Sequence, residues 1–389
     1  MKRIKIYLLS MLFLGILTSC LPAETKDSPA ENQATKSQTK PGSNKNELIN
    51  QALTEIVNEG KAPGMIAAII SSEGVMTIAS AGERKVGSGI AFTTNDMVHL
   101  GSCTKAMTST MIATLVAEGK LNWDSKLLDI IPELRESIHP DYYQVTLWQL
   151  LTHRAGLPKN AMDWNAHKQK EIKERRLAIL EDNLKSSAAY DIDEFHYSNL
   201  GYMIAACMAE QITGLSWEVL MKKRLFDPLG MSSAGFGAPN TPSQIDQPWG
   251  HEKVWYRNKW KPDQSDNPEA LGPAGRVHCT IEDWAKFLSL QLTEENAILN
   301  KAYLNKLIEP VSSHYYAGGW GVAEQDWAKG TMLSHSGSNE IWYTSVVVTP
   351  QLDRAFVVST NSRDFGITED LCVEVMNKLL RMELNLRNK

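Results

Sequence analysis

The chain has 389 residues, 43% of them hydrophobic, with 40 lysines and arginines against 45 aspartates and glutamates and a formal net charge of −5. That length and composition support a substantial core, and the absence of a basic patch or of aromatic-basic interleaving points away from nucleic-acid binding. The five cysteines include no Cys-x-x-Cys and no paired histidine spacing, so neither a zinc site nor any other cofactor motif is expected.

In chain order, Lys2, Arg3 and Lys5 precede an apolar run over residues 7–17, and Leu17-Thr18-Ser19-Cys20 closes it with small residues before a cysteine. The run is too short to span a bilayer and reads as a secretory signal. Its final cysteine looks like that of a bacterial lipoprotein, so residues 1–20 are expected to be a lipoprotein signal with lipidation at Cys20. An ordinary signal peptide or a short uncleaved anchor is the alternative. Leu21 stands where an aspartate would mark inner-membrane retention. The protein is therefore expected to be exported and lipid-anchored to the cell envelope, at the outer membrane where there are two. Residues 21–46 are polar and Pro/Ser/Lys-rich and are expected to be a flexible tether spanning roughly 25–30 Å. Residues 47–389 remain for the functional domain. Cys103, Cys207, Cys279 and Cys372 lie in it, far apart, and are expected to be free buried thiols.

The pattern predicts an amphipathic helix over 46–60, with Ile49, Leu53, Ile56 and Val57 on one side. A hairpin of strands 64–71 and 75–81 turns at Gly74. Residues 105–118 form a helix that is apolar over a wide arc and hence buried. Residues 121–292 read mainly as helices and loops, clearest at 202–213, 217–225 and 281–292. Strands return at 345–349 and 355–360 around Pro350-Gln351-Leu352-Asp353, and a helix over 368–384 closes the chain, with Thr368 as its N-cap. Strands at both chain ends and helices between predict an α/β fold: an antiparallel sheet flanked by helices, built from both ends, with an inserted helical lobe at about 121–292. A cleft between the two is the default site.

Gly-x-Ser-x-Gly, His-Glu-x-x-His, the phosphate loop and the Rossmann glycine pattern are all missing. Ser102-Cys103-Thr104-Lys105 stands instead at the start of the buried helix. Three residues rotate about 300° and rise about 4.5 Å, which places Ser102 and Lys105 on one face. Burial lowers a lysine's pKa, leaving an amine able to take the serine proton. The helix start also aims the Ser102 N–H at developing negative charge. The bare pattern recurs at Ser37-Gln38-Thr39-Lys40 in the tether, so position distinguishes the two copies. Tyr197-Ser198-Asn199, just before a strong helix, supplies a phenol to relay protons and an amide to hold Lys105 and a substrate carbonyl. Tyr256-Arg257-Asn258 and Tyr303-Leu304-Asn305 share its spacing. His335-Ser336-Gly337 precedes a Val-rich strand; its glycine would let substrate lie against the strand edge, with the Ser338 N–H completing an oxyanion hole.

In this order the three elements resemble the serine β-lactamase-like family of class C β-lactamases, D-alanyl-D-alanine carboxypeptidases, D-aminopeptidases and esterases. The stretches 150–158, Gly272-Pro273-Ala274-Gly275 and 280–284 look like further landmarks of it. The resemblance covers roughly residues 47–385 and implies a β-lactamase/transpeptidase-like fold and an acyl-enzyme mechanism. Ser102 would be the nucleophile, Lys105 and Tyr197 the proton shuttle, Asn199, His335, Gly337 and Ser338 the substrate-binding groups. Two departures stand out. Class C β-lactamases carry Lys-Thr-Gly at the third motif, where His335 stands here, which weakens the expectation of efficient β-lactam hydrolysis. Ile341 replaces a common glycine, which predicts a more crowded strand edge.

The expected substrate is a small molecule or peptide: an amide or ester such as a D-residue peptide, a small ester or a β-lactam. A non-catalytic lipoprotein binding peptidoglycan fragments is the alternative. Cys103 is expected to pack and His153 to hold its loop together. Trp249, Trp255, Tyr256 and Trp260 would either line a substrate lip or cover the helical lobe.

Overall fold

The computed structural model describes residues 41–384 apart from 255–258, 295, 297 and 312–314. The expected signal with Cys20, the expected tether as far as residue 40, and Trp255 and Tyr256 lie outside these residues. No helix among the described residues is long and apolar enough to cross a membrane.

The strands are β1 (Gly64–Ser71), β2 (Gly74–Gly82), β3 (Met97–His99), β4 (Gly235–Phe236), β5 (Gly250–Val254), β6 (Lys259–Asp263), β7 (Val277–Thr280), β8 (Gly321–Gln325), β9 (Gly330–Ser338), β10 (Tyr343–Thr349) and β11 (Arg354–Thr360). The main sheet is antiparallel in the order β2-β1-β11-β10-β9-β8, so both chain ends build it. A second sheet runs β3-β7-β4, and β5 pairs with β6 alone. The longer helices are α1 (Pro41–Asn58), α2 (Thr104–Ala117), α3 (Ile172–Asn183), α4 (Asn199–Thr213), α5 (Ile281–Leu292) and α6 (Ile367–Leu384).

Every residue of β1 is buried, because both faces of the main sheet are covered; that is why its sequence is a continuous apolar run rather than an alternating one. Met65, Ala67, Ile69, Phe356 and Val358 face Ile49, Leu53 and Ile56 of α1 and Leu371, Val375 and Met376 of α6. Ile66, Ala68, Ile70, Val346 and Val357 face the opposite way, into the core shared with α2, α4 and α5. Helix α2 is buried on all sides from Thr104 to Leu115. Its polar side chains are satisfied internally, Thr108 by the Pro273 carbonyl at 2.8 Å and Ser109 by the Tyr202 hydroxyl at 3.3 Å. All four described cysteines are buried free thiols.

Several elements differ from expectation. Helix α1 begins at Pro41, so residues 41–46 belong to it and not to the tether. Lys45 is paired with Glu383 at 2.5 Å, and the Asn46 side chain accepts from the Ile78 N–H at 3.1 Å, tying this turn to α6 and β2. The helix at Trp217–Met221 continues as a π turn, Lys222–Phe226. Thr368 lies inside the first turn of α6, where its hydroxyl accepts from the Asp364 N–H at 2.8 Å. Strands β8 and β9 carry no strand-like pattern in the sequence. Strand β9 (GTMLSHSGS) is mostly small and polar, and it is held by register with the Val-rich β10.

Candidate active site

Ser102 sits in the 3₁₀ turn Gly101–Cys103 that feeds α2. The turn lies backbone to backbone against β9. A Cβ at Gly337 would fall 2.1 Å from the Leu100 carbonyl oxygen and 2.5 Å from the Ser102 nitrogen; one at Gly101, where φ is +49°, would fall 2.2 Å from the Ser338 nitrogen. The glycine at 337 is therefore required for the turn to reach the strand. Close approach is the reason for this glycine. The Ser102 and Ser338 amides border the same contact. Cys103 is buried beside them and burial pushes its thiol well above the usual range, so it packs and does not compete as a nucleophile.

Lys105 is fully buried. Its Nζ lies 2.7 Å from Asn199 Oδ1, 2.8 Å from the Ala274 carbonyl oxygen and 3.1 Å from Ser102 Oγ. All three partners are neutral. Desolvation therefore dominates and holds the lysine well below its ordinary value of 10.5. In its neutral form the amine has two N–H groups and one lone pair. Asn199 Oδ1 and the Ala274 carbonyl can only accept, so they take the two hydrogens and the lone pair is left for the Ser102 hydroxyl.

Tyr197 stands over the same amine, its ring centroid 4.8 Å from Lys105 Nζ, and its phenol is hydrogen-bonded to Ser102. Burial raises the phenol well above its ordinary value, opposed by the Ser102 hydrogen bond, so it remains a proton donor. Asn199 opens α4; its Nδ2 donates to Asn160 Oδ1 at 2.8 Å. His153 packs under Tyr197 with ring centroids 4.4 Å apart. Its Nδ1 accepts from the Ser198 N–H at 3.0 Å and its carbonyl from the His196 N–H at 2.8 Å, so it holds the Tyr197 loop in place.

His335 lies on β9 with its Nδ1 2.7 Å from the Ser336 carbonyl oxygen and its Nε2 3.3 Å from the Tyr316 hydroxyl. A carbonyl only accepts, so Nδ1 carries the proton and Nε2 accepts from Tyr316. Burial and then the nearby Lys105 lower the imidazole to about 3, so it is neutral at pH 7. Both nitrogens have partners within the chain, and a substrate contact through either displaces one of them. Ile341, expected to crowd the strand edge, is instead buried against Gly250 of β5, where a Cβ would fall 2.5 Å from its side chain.

The structure thus brings Ser102, Lys105, Tyr197, Asn199, His335, Gly337 and Ser338 together. Sequence reasoning missed the Ala274 carbonyl and Tyr316. The Gly272–Gly275 stretch stands out as a landmark, but a backbone acceptor has no side-chain signature, and Tyr316 has no local pattern. Trp260 donates to the Gly60 carbonyl at 3.1 Å and Trp249 to the Gln244 carbonyl at 2.6 Å, neither at a site residue. Among the described residues no group of His, Cys, Asp and Glu side chains is arranged to hold a metal.

A family model described as Beta-lactamase matches residues 49–370. Protein flp of Staphylococcus aureus is 21% identical over 80% of this chain, which spans 62% of flp's own length. The octameric penicillin-binding protein homologue of Pyrococcus abyssi superposes with a TM-score of 0.73 at 23% identity, covering 87% of this chain and 77% of that one. D-amino acid amidase from Ochrobactrum anthropi SV3 superposes with a TM-score of 0.68 at 20% identity, covering 87% and 99%. At these identities the two structures speak for the fold.

Proposed function

The chain belongs to the beta-lactamase family, and from that premise we propose that it is a serine hydrolase forming an acyl-enzyme at Ser102. The observation that carries the proposal is the buried Lys105, whose Nζ lies 2.7 Å from Asn199 Oδ1, 2.8 Å from the Ala274 carbonyl oxygen and 3.1 Å from Ser102 Oγ. In the proposed reaction Ser102 Oγ attacks a carbonyl carbon while its proton passes to Lys105 Nζ. The oxyanion is held by the Ser102 and Ser338 N–H groups. The proton returns through Tyr197 to the leaving amine or alkoxide as the bond to carbon breaks. Water then attacks the acyl carbon, giving a proton to Lys105; the bond to Ser102 Oγ breaks, the proton passes from Lys105 to Oγ, and the acid leaves with serine and amine restored.

We propose an amide or ester as substrate, small esters and D-residue amides or peptides ahead of β-lactams. The neutral His335 gives no cation at the third motif to hold a carboxylate. Assays with p-nitrophenyl esters, D-amino acid amides, D-Ala-D-Ala peptides and nitrocefin test this. Ester or D-amide turnover should exceed nitrocefin turnover by at least about tenfold in kcat/KM, about 1.4 kcal/mol in transition-state stabilisation. Nitrocefin as the best substrate would overturn the His335 argument, and no turnover of any of them the hydrolase reading.

We also propose export and lipid anchoring at Cys20, supported by the basic start, short apolar run and small residues before that cysteine. Cys20→Ala should move the protein from the membrane fraction to the soluble fraction and remove metabolic fatty-acid labelling. Unchanged labelling would dismiss Cys20 as the anchor.

A further inference from the structure

We infer that Asp266 is a positioning residue for the oxyanion hole, setting the separation between the Ser102 turn and the end of β9. The inference rests on the acyl-enzyme reading. The two amides assigned to the oxyanion lie on segments far apart in sequence, and something must fix their spacing, since the hole works only at hydrogen-bond distance from the developing charge.

The Asp266 side chain is 8% exposed. Its Oδ1 lies 2.9 Å from His99 Nε2 and accepts from Asn339 Nδ2 at 2.9 Å; its Oδ2 accepts from Arg276 Nε at 2.9 Å. His99 is fully buried, and its Nδ1 accepts from the Gly101 N–H at 3.1 Å. That bond places the ring's hydrogen on Nε2, which approaches Asp266 Oδ1 as a close polar contact and not as an aligned hydrogen bond. Gly101 immediately precedes Ser102, and Asn339 immediately follows Ser338. One carboxylate oxygen therefore bonds the residue flanking one amide directly and contacts, through the His99 ring, the residue flanking the other. The third arm, Arg276, follows the Gly272–Gly275 turn whose Ala274 carbonyl holds Lys105. Burial opposes ionisation of Asp266, but His99, Asn339 and Arg276 outweigh it and keep the carboxylate charged.

An amide cannot replace this carboxylate. In Asp266→Asn, either orientation of the new amide sets its NH₂ against another donor, the Arg276 Nε–H on one side or the N–H groups of His99 and Asn339 on the other. In the full-length chain, Asp266→Asn should lower kcat for a p-nitrophenyl ester about 10- to 100-fold, less than the loss of a whole oxyanion donor. KM should stay within about threefold, and the Ki of phenylboronic acid, whose tetrahedral adduct occupies the hole, should rise by the same factor as kcat/KM falls. Asn339→Ala keeps the Arg276 pair and the His99 contact, so it reads the same effect if Asp266→Asn is poorly folded. It should lower kcat several-fold and weaken the boronate in parallel. Wild-type kcat and boronate affinity in both variants would overturn the role of Asp266, as would a loss of kcat with no change in boronate affinity. A wild-type protein that no serine-directed probe acylates would instead remove the hydrolase reading, and this inference with it.

Discussion

Replacing Ser102 by alanine should abolish labelling by a fluorophosphonate, while the wild-type protein gains one probe mass on the peptide containing Ser102. The expected loss in turnover is at least about 10⁴-fold, because removing a nucleophile leaves only binding and the oxyanion donors. The fold should survive. Ser102 Oγ bears on Lys105 and Tyr197, and the turn itself is held by Gly101 against β9 and by the Cys103 N–H to the Leu100 carbonyl at 3.1 Å. Thermal unfolding of the variant within a few degrees of wild type would separate lost chemistry from lost structure. Undiminished labelling of Ser102→Ala, or wild-type labelling on another serine, would remove Ser102 as the nucleophile.

The second large effect is at Lys105. Lys105→Ala should slow acylation about 10²- to 10⁴-fold, the range for removing a positioned general base. Lys105→Arg should do no better, because a guanidinium stays protonated and has no lone pair to offer. In the wild type, acylation should fall as pH drops through the lowered lysine pKa and be flat above it. Stability carries the same sign. Unfolding returns Lys105 to its ordinary value of 10.5, so between the folded and unfolded values the unfolded chain binds the extra proton and stability rises with pH. Lys105→Met, of similar volume and without the desolvated amine, is therefore expected to raise the melting temperature while losing activity. Acylation by Lys105→Ala at a near-normal rate, or an unshifted acidic limb in that variant, would take Lys105 out of the mechanism.

The fold was legible where one segment carried its own signal. The apolar run of β1, the hairpin of β10 and β11 and the all-round apolar α2 each depend on residues adjacent in sequence, and their periods follow from strand and helix geometry. Ser102 and Lys105 were legible for the same reason, since three helical residues bring them to one face. Strand β9 was not: its residues are small and polar, and only pairing with β10 makes them a strand.

What the sequence determined by itself, then, was an α/β architecture, a serine one turn from a buried lysine, and a tyrosine at a helix start. The tertiary structure decided which spacings meet. Tyr303-Leu304-Asn305 lies in the helix Lys301–Leu307 with Leu304 buried, whereas Asn199 reaches Lys105 across 94 positions and Ala274 does so across 169. It also decided that Gly337 serves the contact with the Ser102 turn, that His335 is a neutral imidazole bound to Tyr316, and that Asp266 joins three segments. The reason is physical. Desolvation of an amine, the tautomer of a ring and the spacing of two amides are set by whatever packs on every side, and chain order does not encode those neighbours locally.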